Sequence, residues 1–133
     1  MISEVWNQGD FSNLPNLISG NYTIISDPGD PWDGQSIDLK TFEKRVCYTR
    51  NAFPDIHFQM DEFVEGDDVI VLRWTMTGTH LGDLPRLPAT RKPFRITGMT
   101  FYILTNGQIS GHRQNFDQLG FLAQIGVLQI ATG

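Results

Sequence analysis

Apolar and polar positions along this 133-residue chain follow a helical rhythm first and a strand rhythm later. Residues 2–7 suit a short helix stopped at Gly9, and Asp10 can cap a second helix reaching about Ile18. "NYTIIS" reads as a short strand before the turn-rich loop "DPGDPWDGQ". A third helix is predicted from Asp38 as N-cap, with Leu39, Phe42, Val46 and Thr49 as one buried stripe. Beyond it, "PDIHFQMDEFV" sets Ile56, Phe58 and Met60 against His57, Gln59 and Asp61, the alternation of a half-buried strand. "EGDD" turns into "VIVLRWTMTGTH", a long strand, and the loop "LGDLPRLPATRKP" leads to "FRITGMTFYILT" and "QISGHRQNF". Asp117 then stands directly before "QLGFLAQI", whose Leu119, Leu122 and Ile125 are spaced for a short helix stopped by Gly126. Its carboxylate is read as that helix's N-cap.

Asn106-Gly107, between the last two strands, predicts a two-residue hairpin turn of the primed type. Counting outward from Thr105 opposite Gln108 puts Phe101 opposite His112 and Met99 opposite Gln114. Ser110, His112 and Gln114 then share one face with aromatic and thioether neighbours. Polar groups on an aromatic-lined sheet face suit a ligand pocket.

Composition narrows the classes. A chain of this length with 40% hydrophobic residues is one globular domain. No window is apolar for the ~18 residues of a membrane span, and the start lacks the pattern of a secretory signal. A lone Cys47, read as a buried or half-buried thiol, fits a cytoplasmic setting. The net charge of −5 argues against nucleic acid. Fourteen of the 15 acids lie in residues 1–83; residues 84–133 hold Asp117 alone against five bases. Three histidines at 57, 80 and 112 have no metal-ligand spacing. His112 is the leading acid–base candidate, because imidazole titrates near ~6.5. His80 follows, with a structural role in its turn as the competing reading, and His57 is expected on the surface. Asp27, Asp30 and Asp33 could reach a pocket mouth from their loop, where Trp32 could serve as a lid or packing anchor.

"VWNQGD", "TGTHLGDLPRLPAT" with "KPFRITGMTFY", and "NGQISGHRQNFDQLGFLAQIG" together resemble the SnoaL-like polyketide cyclases, or ester cyclases, over nearly the whole chain and in the same order. The resemblance implies a cone-shaped α+β barrel: N-terminal helices in the hollow of a strongly curved mixed sheet, with a short C-terminal helix. It implies a deep pocket for a small hydrophobic ligand, a homodimer, and ring closure or a related isomerisation or hydration of a polyketide- or terpenoid-like substrate without metal or cofactor. In the aldol cyclases of that family the terminal strand reads His-Arg-Asp, and the Asp is the acid–base group. Here His112 and Arg113 match, but Gln114 stands at the Asp position. An amide can donate and accept hydrogen bonds but does not exchange a proton near neutral pH. The site expected on this basis has His112 and Gln114 as its polar pair and Trp32, Trp74, Met99, Phe101 and His80 around the substrate. A non-catalytic binding protein and a dimerisation scaffold are the alternatives on the same fold.

Overall fold

Two carboxylates start helices where the sequence places them. Asp38 accepts the Thr41 N–H at 2.8 Å and Asp117 accepts the Gly120 N–H at 2.9 Å. The computed structural model describes residues 1–129. A π-helical turn, Ile2–Asn7, is followed by α1 (Leu14–Leu17), β1 (Ile18–Ser26), β2 (Ser36–Ile37) and α2 (Leu39–Ala52). Then come β3 (His57–Glu65), β4 (Val69–Thr79), β5 (Pro93–Thr105), β6 (Gln108–Phe116) and α3 (Gln118–Gln124).

The six strands form one open, curled sheet in the order β2-β1-β6-β5-β4-β3. β1 and β6 run parallel and every other neighbouring pair antiparallel, so the sheet is mixed. Two clusters of buried side chains fill the hollow. One gathers Val5, Trp6, Leu14, Tyr22 and Phe42 with the N-terminal elements; the other gathers Phe53, Trp74, Phe94, Ile96 and Ile125. The expected α+β cone is this fold.

Several local expectations give way. The second helix is one turn, because Ile18 leaves it to pair with Ile109 of β6. Asp10 accepts only the Ser12 N–H and starts no helix. β2 was not expected; it is a two-residue pairing on Tyr22 and Thr23. Met60 has the inward parity, opposite Trp74, yet is 52% exposed because β3 is the edge strand. Cys47 is exposed on α2 rather than buried.

The hairpin turn forms as predicted, with Asn106 and Gly107 both at positive φ. Its register does not. Gly111 pairs with Ile103 but Ile109 pairs with Leu104, so Ser110 is an extra residue in β6. One inserted residue exchanges the faces of the partner arm. His112 therefore lies opposite Tyr102, and Gln114 opposite Thr100. Phe94, Ile96, Gly98, Thr100 and Tyr102 point into the hollow, while Met99 and Phe101 lie on the convex face, 53% and 39% exposed.

Candidate active site

Side chains from both buried clusters line one cavity of about 210 Å³, among them Trp6, Phe42, Phe58, Trp74, Met76 and Ile96. Tyr22, Asp27, Asp30, Arg45, Tyr102, His112 and Gln114 gather at one corner, and Tyr48 and Thr49 add two further hydroxyls to the lining. β6 delivers His112 and Gln114, β5 delivers Tyr102, α2 delivers Arg45, and β1 with the loop after it delivers Tyr22 and Asp27.

The hydrogen bonds at this corner have a forced direction. Indole N–H can only donate, so Trp74 Nε1 donates to Thr100 Oγ1 at 2.9 Å. The Thr100 hydroxyl then gives its proton to Gln114 Oε1 at 2.6 Å. That fixes the amide's orientation and turns Gln114 Nε2 toward Asp27, 3.3 Å from each carboxylate oxygen. Asp27 Oδ2 also accepts from Arg45 at 3.0 Å and stands 2.8 Å from His112 Nε2. The other imidazole nitrogen, Nδ1, lies 2.5 Å from the Tyr22 hydroxyl. Burial, together with Tyr102 and the carboxylates Asp27 and Asp30, pushes the Tyr22 phenol well above its ordinary pKa, and Arg45 only partly offsets this. Tyr22 therefore keeps its proton and donates it to Nδ1, leaving Nε2–H to point at Asp27. Arg45, His112 and Gln114 all converge on one carboxylate, Asp27.

Arg45 is almost sealed from solvent. Burial works against its charge, but Asp30, Tyr22 and Asp27 together hold its pKa above the ordinary value. It also donates to Asp30 at 2.7 Å and lies over the ring of Trp6, 5.2 Å from the centroid. Two carboxylates and one guanidinium leave the corner with an excess of acceptors.

Of the expected site residues, His112 and Gln114 share the cavity wall, and Trp74 lines it. Gly98 lets the indole pack close to β5: a Cβ there would collide with the Trp74 ring. Met99 and Phe101 are excluded by the Ser110 bulge. Trp32 stands outside the cavity, edge-on to Tyr48, which does line it. His80 is outside as well. It is fully buried, its Nδ1 accepts the Thr90 N–H at 3.2 Å, and its Nε2 has no partner among the described residues. It stands where β4 gives way to the following loop and joins that loop at Thr90. Asp117 caps α3 and lines no part of the cavity. Of the loop acids, Asp27 is inside at 1% exposure, Asp30 pairs with Arg45, and Asp33 accepts the Asp27 N–H at 2.7 Å and so braces the loop.

Tyr22, Arg45 and Tyr102 were not anticipated. Arg45 had a signal: it lies three residues after Phe42 and four before Thr49, a charge on an apolar stripe. β5 had another, since Arg95 and Thr97 share parity with Met99 and Phe101 and mark that face as outward.

The profile of the SnoaL-like polyketide cyclases matches residues 1–125. A crystal structure from Acidithiobacillus ferrooxidans, provisionally assigned as a polyketide cyclase, superposes with a TM-score of 0.83 at 36% identity, covering 92% of this chain and 86% of that one. IdmH from Streptomyces antibioticus, with the same provisional assignment, gives 0.75 at 27% identity over 95% and 96% of the two chains. TsrD from Streptomyces laurentii shares the fold, with a TM-score of 0.80 at 21% identity over 93% and 88%. No curated protein sequence matches the chain.

Proposed function

The chain belongs to the SnoaL-like polyketide cyclase family, and on that premise we propose that it enolises a ketone in its cavity with Asp27 as the general base. The observation that carries this reading is the unequal engagement of the two Asp27 oxygens. Oδ2 is held by Arg45 and His112, whereas Oδ1 has only the long 3.3 Å contact from Gln114. Oδ1 is thus free to take a proton from a carbon beside a carbonyl. His112, with both ring nitrogens engaged by Tyr22 and Asp27, is a positioning residue. Gln114 cannot exchange a proton, and here it orients the carboxylate that can.

The step balances simply. The α-C–H bond breaks, its proton goes to Asp27 Oδ1, and the electron pair forms the enolate. The enolate then attacks a second carbonyl in a cyclisation, or regains the proton at another carbon in an isomerisation. Its oxygen needs a hydrogen-bond donor aimed at the developing charge.

The reading is tested by NMR of α-hydrogen exchange in D2O, using a panel of small ketones that includes cyclohexanone and 2-tetralone. The native protein is expected to exchange at least one of them above the buffer rate. Asp27→Asn should lower that rate by ~10²–10⁴. An unchanged rate in Asp27→Asn overturns the assignment of the base. Binding of the panel without any exchange overturns the enzyme reading in favour of a binding protein.

A further inference from the structure

The polar corner contains one donor that the network around Asp27 leaves unused. Tyr102 lines the cavity, packs edge-on against His112 with centroids 6.2 Å apart, and its hydroxyl takes no part in the hydrogen bonds around Asp27. Every other polar side chain at that corner is tied into the network around Asp27. Two further features describe what fits beside it. A cavity of about 210 Å³ is small: ~150 Å³ holds benzene, and drug-sized ligands occupy ~300–1,000 Å³. Among the described residues Arg45 is the one Lys or Arg side chain lining it, and that guanidinium is spent on Asp27 and Asp30. An anionic ligand would meet uncompensated carboxylates.

We propose that the substrate is an uncharged one- or two-ring enolisable ketone whose oxygen is received by the Tyr102 hydroxyl. The proposal rests on Asp27 as the base and adds the substrate class and the oxyanion donor. Burial, with the charge of Asp27, pushes the Tyr102 phenol up to about 12 despite Arg45, so it remains a donor throughout the neutral range. The enolate forms with its charge against that O–H while the abstracted proton sits on Asp27 Oδ1. No net charge enters or leaves. Family members are named for polyketides; the volume of this cavity matches one or two rings.

Binding is read from quenching of Trp6 and Trp74, which line the cavity. The probes are cyclohexanone, 2-tetralone, three-ring anthrone, anionic 2-naphthoate and cationic 2-aminotetralin. 2-Tetralone is expected to bind at least tenfold more tightly than anthrone and 2-naphthoate. Equal or tighter binding of either overturns the size or charge class, and tightest binding of 2-aminotetralin overturns the ketone in favour of an amine. Tyr102→Phe is expected to slow 2-tetralone exchange by ~10²–10³ and to weaken binding no more than about tenfold. Its melting temperature should match the native protein, since the hydroxyl takes no part in the network around Asp27. An unchanged exchange rate in Tyr102→Phe overturns the donor. Asp27→Asn separates the two readings: it should lower exchange by ~10²–10⁴ and keep the ranking of ligands by size.

Discussion

His112 and His80 are both sealed from solvent, at 2% and 0% exposure, the first on β6 and the second directly after β4. Their surroundings differ completely. His112 has a hydroxyl on one nitrogen and a carboxylate on the other, and the carboxylate is held in turn by Arg45 and Gln114. His80 braces Thr90 with one nitrogen, leaves the other without a partner, and packs its ring against Phe53. Burial alone does not set the two histidines apart. What separates them is a charged partner with an unfilled valence on open space, and only His112 has one. The cost is also different in kind: the Asp27 corner keeps charges in a dry place, which is stable only while each is paired, whereas the His80 corner tolerates one idle N–H.

The sharpest way to break the contrast is to remove the charge that balances the Asp27 corner. Arg45→Met keeps most of the packing against Trp6 and Phe42 but leaves Asp27 and Asp30 facing each other with no cation. Uncompensated buried charge costs about 3–5 kcal/mol. For a domain of this size that is a fall in melting temperature on the order of 10–15 °C. Calorimetry at neutral pH measures it. A drop of only a few degrees would mean that the corner is wetter, and less dependent on pairing, than its burial indicates.

Much of this contrast was legible in the sequence, and the illegible part has definite causes. Helical and strand periodicity, the Asn106-Gly107 turn and the caps at Asp38 and Asp117 are local signals, and each was read from neighbouring residues. His112 and Gln114 were placed on the correct wall for the same reason. The neighbours assigned to them were wrong because a single bulge at Ser110 shifts the opposite arm, and nothing in "QISGHRQ" fixes where an extra residue is absorbed. In the sequence Asp27 is one of three similar loop acids, with Asp30 and Asp33. Their separation into base, counter-ion partner and loop brace depends on Arg45 reaching across from α2, a contact eighteen residues away in sequence from Asp27. Local pattern cannot rank three similar carboxylates when a distant side chain decides among them.

A paired substitution sharpens the comparison at the next level of effect. His112→Phe keeps a ring in place and deprives the Tyr22 hydroxyl and Asp27 Oδ2 of a partner. It should cost about 1–3 kcal/mol and should also slow α-hydrogen exchange, because the carboxylate loses one of its anchors. His80→Phe removes the idle N–H together with the acceptor for Thr90, two changes of opposite sign, so its net effect should stay within about 1 kcal/mol. Exchange should be unaffected. Measuring melting temperature and exchange for both variants separates the roles. Equal losses of exchange in the two would erase the distinction between the histidines.

The smallest effect belongs to Asp117, which is joined to the His80 side through its helix. α3 carries Phe121, which packs edge-on against Phe53 at 5.7 Å and Phe94 at 5.0 Å, and Phe53 is the ring that backs His80. The helix has seven residues and includes Gly120, so its own propensity is weak and the cap is a sizeable part of what holds its first turn. Asp117→Ala should therefore cost about 1 kcal/mol, while Asp117→Asn, which still offers a side-chain oxygen to the Gly120 N–H, should cost a few tenths. Neither should alter exchange, because Asp117 does not reach the cavity. Chemical denaturation gives the stabilities and NMR the exchange rates. If Asp117→Asn abolished exchange at an unchanged denaturation midpoint, the carboxylate at 117 would be doing chemistry, and the assignment of that task to Asp27 would fail with it.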